Sequence, residues 1–378
     1  LSEPTPSPAP APSGTDPAAP PPPAPDRLRD LHPGWFAAVM GTGILAVALA
    51  NNPGDLPALV GVTRGASIAL AVLAYTLAAV LTVAFVARWL AHPTAALADL
   101  RHPMVGGLHA TAPGGLLVLA VMTSVVGPHL MAAGAVVATT AVLAAVGTTL
   151  ALLVAVAFGY TLVAGERPAA ATNGSWFIPP VVTVIVPMAI APLLGHVGPQ
   201  VARLLLFVGY AFLGMGFLLF LLTLGLLHDR LVEHPLPPAP LAPSLWIALG
   251  PVGVSALAPL ALARAGQAVL GPAAGTVLTL SLLVASCVWG FGLWWLALAT
   301  SLLVRYLRAG GIPFHVGWWG FVFPLGAYAV ATLTLARAWG LPAVEGLGVV
   351  LVLALAAAWG TVMVRTVAGL RTGRLWAR

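Results

Sequence analysis

Sixteen arginines, ten carboxylates, nine histidines and one cysteine carry most of the charge and acid–base chemistry of this 378-residue chain. Enzymatic catalysis needs a nucleophile or metal, a base and an orienting group within reach of one another. Cys287 stands alone, so neither an internal disulfide nor a cysteine-rich metal site can form. No His/Cys/Asp/Glu run has metal-ligand spacing, and nothing calls for a cofactor. The carboxylates Asp55, Asp99, Glu166, Asp229, Glu233 and Glu345 all fall outside the middle of the long apolar runs, as do the four nearer the N-terminus. Those runs therefore lack the carboxylate relay of many ion-coupled pumps, and they hold no negative charge to repel an anion. Two histidines stand where apolar runs begin: His109, beside Thr111 and Pro113, and His315. An imidazole titrates near neutral pH, so each is a candidate pH sensor or proton relay. The alternative for both is an interface residue with a satisfied ring. Arg88, Arg101, Arg305 and Arg308 flank apolar runs. They are candidates for a vestibule that concentrates anions, or plain membrane-flanking anchors.

The elements that position these residues are set by composition. Hydrophobic residues make up 60% of the chain and charged residues 7%, against about 25% charged in soluble domains. The apolar stretches are about 20 residues long, the length that crosses a bilayer. They are apolar at both parities, as from Leu70 to Val86, which excludes an alternating barrel strand and leaves helices. Ten spans are expected, near residues 35–50, 66–90, 108–126, 131–163, 176–194, 201–227, 244–264, 275–307, 314–339 and 346–370. Residues 1–30 form a Pro/Ala-rich stretch without apolar periodicity, expected to be a disordered tail. The ten-helix domain is expected over 31–372. Every basic residue is arginine, scattered at span ends rather than gathered in a patch, which argues against nucleic-acid binding. Twelve arginines fall on one side of the predicted spans and four on the other. That bias places both termini in the cytoplasm, in a multi-pass protein of the plasma membrane. Trp35, Trp176, Trp246, Trp318 and Trp319 lie near span starts and are expected in an interfacial belt.

Helix breakers recur about every 70 residues, each time in an odd-numbered span: Gly41 and Gly43; Pro113; Pro180 and Pro187; Gly250 and Pro251; Pro324. The even spans contain no proline. The repeating unit is thus a hairpin of one broken and one straight helix, used five times. A break frees backbone N–H and C=O groups, tolerated in a membrane only against protein or a water-filled cavity. Five broken helices are therefore expected inside, lining a central pore with a weak preference for anions, and five straight ones outside. The alternative role for Gly and Pro is tight helix packing.

Four ordered segments resemble the tellurite-resistance/dicarboxylate transporter family, which takes in TehA-like channels, the slow-type anion channel of plant guard cells, fungal malate permeases and sulfite efflux pumps. They are the run from Trp35 to Gly43, Arg101-His102-Pro103, the run from Leu249 to Gly253, and the run from Phe314 to Gly326. The last leans toward the permease and sulfite-efflux branch. The resemblance covers about residues 30–372. It implies an all-α membrane protein of ten transmembrane helices, five hairpins in quasi-fivefold arrangement around a central pore, assembled as a homotrimer in the bilayer. It also implies a phenylalanine of the ninth span that occludes the pore. The best match is Phe323, next to Pro324, with Phe321 the runner-up. The implied activity is passage of small inorganic or organic anions. An anion channel and a proton-linked or facilitated carrier for C4-dicarboxylates such as malate, or for sulfite, both remain open.

Overall fold

The computed structural model describes residues 26–165 and 172–375. Most of the Pro/Ala-rich stretch (1–25), Glu166, Arg167 and Arg378 lie outside the described residues. Residues 26–30 make a turn: the Asp26 carboxylate accepts the backbone N–H groups of Leu28 and Arg29 at 3.1 and 3.2 Å.

Among the described residues there are helices and no strands. Ten segments are long and apolar enough to cross a membrane. Their helices are α1 (Ala37–Ala50), α2 (Val60–Ala91), α3 (Thr111–Val126), α4 (Ala133–Ala164), α5 (Ile178–Ile190), α6 (Pro199–Glu233), α7 (Leu249–Ala265), α8 (Ala274–Arg308), α9 (Val322–Trp339) and α10 (Pro342–Arg371). Each overlaps the span expected from the sequence, because uninterrupted apolar composition leaves the backbone no partner but itself.

The odd and even helices differ in length and in surroundings. The most apolar windows of the odd spans are 72–94% buried, those of the even spans only 11–28%. Consecutive helices pair as hairpins, α1 with α2 through α9 with α10. The odd helices also pack in sequence, α1 on α3, α3 on α5, α5 on α7, α7 on α9, and α9 back on α1. The five inner helices therefore close a ring, and the five outer helices cover it.

Small residues allow the ring to be this tight. A Cβ on Gly41 would lie 2.9 Å from a methyl of Val322, where α1 meets α9. A Cβ on Gly253 would lie 2.5 Å from the backbone carbon of Ala327, where α7 meets α9. At both positions the missing side chain is what lets one helix touch the next.

Each inner helix is preceded by a 3-10 turn: Pro33–Phe36, Gly106–Ala110, Gly174–Phe177, Ala239–Trp246 and Val316–Phe321. Three of these turns share a cap. His32 Nδ1 accepts the Gly34 N–H at 3.1 Å, Asn173 Oδ1 accepts that of Ser175 at 2.9 Å, and His315 Nδ1 accepts that of Gly317 at 3.0 Å. The shared pattern is His or Asn, one residue, Gly or Ser, then Trp.

Candidate functional site

The five 3-10 turns surround a cavity of about 240 Å³ at the end of the ring where the inner helices begin. Every turn or its flanks contribute lining, including His32, Asn173, Ser244 and His315, and so do Ala37, Thr111 and Ile178 at the starts of α1, α3 and α5. The walls are stitched from one repeat to the next. Thr111 Oγ1 donates to the Pro33 carbonyl at 2.9 Å, and Ser175 Oγ to that of Met104 at 3.2 Å. The Gly174 N–H donates to Ser244 Oγ at 3.2 Å, and His315 Nε2 to the Pro240 carbonyl at 2.8 Å. Because Nδ1 of His315 accepts from Gly317, the proton sits on Nε2, and the ring is held as a neutral bridge between two repeats. Burial lowers the His315 pKa from its ordinary value, and the Pro240 contact opposes that in part. The five inner helices begin at this end of the ring, three of them at the cavity wall, and the partial positive charge of a helix N-terminus favours an anion.

Farther along the ring lies a cavity of only about 40 Å³. Its lining comes in pairs three residues apart, one pair from each inner helix: Ile44 and Val47, Val118 and Val121, Ile185 and Met188, Val254 and Leu257, Ala327 and Val330. In α1, α3 and α5 the first member is the eighth residue of its helix. Phe323, one turn before Ala327, joins the lining on the side of the larger cavity. The walls are wholly apolar. A water needs about 10–15 Å³ of such space, so the cavity has room for a few waters at most and not for an ion with its full hydration shell.

The phenylalanines expected near the pore have different surroundings. Phe323 is 5% exposed, and the edge of its ring lies beside Gly250, 3.5 Å from where a Cβ would stand. Phe321 is held edge-on between Trp246 and Trp318, at ring separations of 5.6 and 5.7 Å.

Of the breakers expected to line a pore, Gly41, Gly43, Pro113, Pro180, Pro187, Gly250, Pro251 and Pro324, none borders either axial cavity. Gly41 and Gly43 face the neighbouring helices α9 and α3, and Pro113 borders a cleft on the outside of the ring. Gly250 likewise lies against Val181 of α5 and Phe323 of α9, and aliphatic side chains supply most of the smaller cavity's lining.

Arg88, expected at a vestibule, is fully buried away from both cavities. It pairs with Asp99 at 2.5 Å, and its Nε donates to the Arg29 carbonyl at 3.0 Å. Arg101, Arg305 and Arg308 are exposed at helix C-termini and line neither cavity. His315 lines the larger cavity, whereas His109 lines the outer cleft. Trp35, Trp176, Trp246 and Trp319 are buried in protein rather than set in a lipid-facing belt. The Trp176 indole donates to the Pro103 carbonyl at 2.9 Å, and the Arg365 guanidinium lies 4.9 Å over the Trp318 ring.

Sequence reasoning passed over the capping residues His32 and Asn173 and the aliphatic pairs. A signal for the first existed in the repeated His/Asn-x-Gly/Ser-Trp pattern. The pairs carry none, since every span is rich in aliphatic residues.

Residues 30–367 match the family model described as SLAC1, voltage-dependent anion channel. An uncharacterized transporter of Methanocaldococcus jannaschii is 31% identical over 352 residues, covering 93% of this chain and 96% of the relative. A sulfite efflux pump (SSU1) of Trichophyton rubrum is 26% identical over 339 residues, covering 85% of this chain and 86% of the relative. One of Arthroderma otae is 27% identical over 341 residues, with the same two shares. With ten apolar helices in a closed ring of hairpins and a family match across nearly its whole length, the chain belongs to the voltage-dependent anion channel (SLAC1) family.

Proposed function

We propose that the protein transports small anions across a membrane along the axis of the inner ring, and that the Phe323 ring occludes the path. The single observation that carries this reading is the apolar constriction shared by all five inner helices, with Phe323 in its wall on the side of the larger cavity. An ion drawn to the N-termini meets the aromatic ring and a space too small and too apolar to wet. A hydrophobic constriction of this kind gates by dewetting. Moving the ring toward the larger cavity widens the path. On this reading the protein is a transporter and not an enzyme, a homotrimer in the plasma membrane, with both termini in the cytoplasm. Arg101, Arg305 and Arg308 enrich anions at the cytoplasmic face.

A second reading is a proton-linked or facilitated carrier for sulfite or C4-dicarboxylates such as malate. The similarity to sulfite efflux pumps favours it. His315, on the wall of the larger cavity, is its candidate proton site, and His109 lies off the axis.

The test is current recording from the protein in liposomes under chloride, nitrate, malate and sulfite gradients, wild type beside Phe323→Ala. The channel reading expects reversal potentials that follow each gradient. It also expects the variant to conduct on the order of tenfold more, the effect of lowering a barrier by about 1.4 kcal/mol. Electrical silence from both proteins, with labelled sulfite or malate crossing in response to a pH gradient, supports the carrier instead.

A further inference from the structure

Outside the ring, between α2, α3 and α4, lies a cleft of about 470 Å³. Its floor descends in parallel steps on the three helices. Trp89 and His109 stand at the end near the inner-helix starts, Phe85 and Leu150 lie in the middle, and Leu116 and Val146 lie at the far end. From Leu90 to Thr82 the trough follows eight residue steps of α2, about 12 Å at 1.5 Å per step. Val86 and Leu90 at the rim are 52% and 80% exposed, so the cleft opens on the side where the outer helices meet their surroundings.

One group in this cleft is out of place. His109 is 6% exposed, and neither ring nitrogen has a hydrogen-bond partner. The carbonyls of Val105 and Gly106, one turn back, face the ring without hydrogen-bonding geometry. The nearest charges, Arg88 and Asp99, are committed to each other. The Trp89 indole stands edge-on to the imidazole, 6.3 Å between centroids. A buried polar group without a partner is costly, so an occupant of the cleft should bring an oxygen to His109. The rest of the trough is lined by apolar side chains apart from Thr82. The occupant must therefore be polar at one end and apolar along its length. At this depth in a bilayer the abundant molecule of that form is a glycerolipid. A neutral ester suits the site better than a carboxylate, because an extra charge would be desolvated here without an ion-pair partner.

We propose that the cleft is a specific glycerolipid site, with one acyl chain lying in the trough and its ester carbonyl accepting a hydrogen bond from the His109 ring N–H. The chain then lies directly behind α3, one of the five helices of the axial ring.

Native mass spectrometry of delipidated protein titrated with dioleoylphosphatidylcholine tests this, with a diazirine-bearing phosphatidylcholine to map the bound chain. One tight lipid per chain is expected, with adducts within 82–90 and 146–154. Leu150→Trp, which fills the middle of the trough from a partly exposed position, should abolish that event. His109→Leu should weaken it roughly three- to tenfold, the loss of one hydrogen bond. If His109→Leu does not fold, Leu150→Trp decides alone. Equal binding by wild type and Leu150→Trp overturns the proposal. So does oleate displacing the phospholipid with the same dependence on His109, which makes the occupant a free fatty acid. An oligomer that excludes lipid and dissociates on Leu150→Trp overturns it as well, because a second copy then covers the cleft.

Discussion

A phenyl ring can act as a movable plug only if one side of it is not locked by other side chains. On the proposed reading Phe323 is that plug: the edge of its ring faces Gly250, whereas Phe321 is clamped by two tryptophans. Gly250→Ala adds a methyl at ordinary contact distance, 3.5 Å, and should leave basal currents near wild type. Gly250→Val adds bulk toward the ring and should change them, in the same liposome recordings. Phe321→Ala should raise conductance far less than Phe323→Ala, since it opens a wall and not the axis. His315 supplies a prediction of another kind. Its folded pKa is lowered, chiefly by burial, so the neutral ring is the form the fold prefers. The stability it contributes is present above the unfolded pKa of about 6.5 and is lost as pH falls through the folded value. Protonation also removes the acceptor that caps Gly317. Thermal unfolding in detergent should therefore show a midpoint that falls between pH 7.5 and 5, with a smaller fall in His315→Asn, whose amide can cap as Asn173 does. The two phenylalanines are not separable by pattern alone, because which ring meets a glycine depends on Gly250, 73 residues before Phe323.

At the scale of helices, the glycine and proline register was visible in the sequence, but what it does was not. Recurrent breakers marked the odd helices as inner, and the burial contrast between odd and even spans agrees. The small axial cavity is bordered by the paired aliphatic residues and not by these breakers. Small residues turn toward the adjacent helix because only there does a missing Cβ shorten the distance between backbones. Gly253→Val should accordingly cost about 1–3 kcal/mol by overpacking, since even the Cβ would lie 2.5 Å from the Ala327 backbone. A lower unfolding midpoint in detergent, with Gly275→Val in open space as the control, would establish it. Arg88→Met strands Asp99 and should cost about 3 kcal/mol by the same assay. The identity of Arg88 marked a charge near a span end, but the short helix Pro93–Arg101 that brings Asp99 to it has no counterpart in the predicted spans.

For the whole molecule, the ring sets the electrostatics. Five helix N-termini converge at one end, and Arg101, Arg305 and Arg308 are exposed at helix C-termini. Replacing these three arginines with glutamine should reduce anion currents at about 10 mM salt, where the screening length is about 30 Å, and have little effect at about 1 M, where it is about 3 Å. Equal currents at both salt concentrations would reduce the arginines to anchors. Length, apolar composition and the alternation of broken and straight spans determined by themselves that this chain is ten helices in five hairpins, because a backbone in hydrocarbon must satisfy its own hydrogen bonds. Four short motifs pointed to the family in which the chain falls. Tertiary structure alone decided which side chains reach the axial cavities, which arginine is buried and which histidine lies at the outer cleft. A helix presents every residue to some neighbour, and the neighbours are chosen only when the fifth inner helix closes on the first.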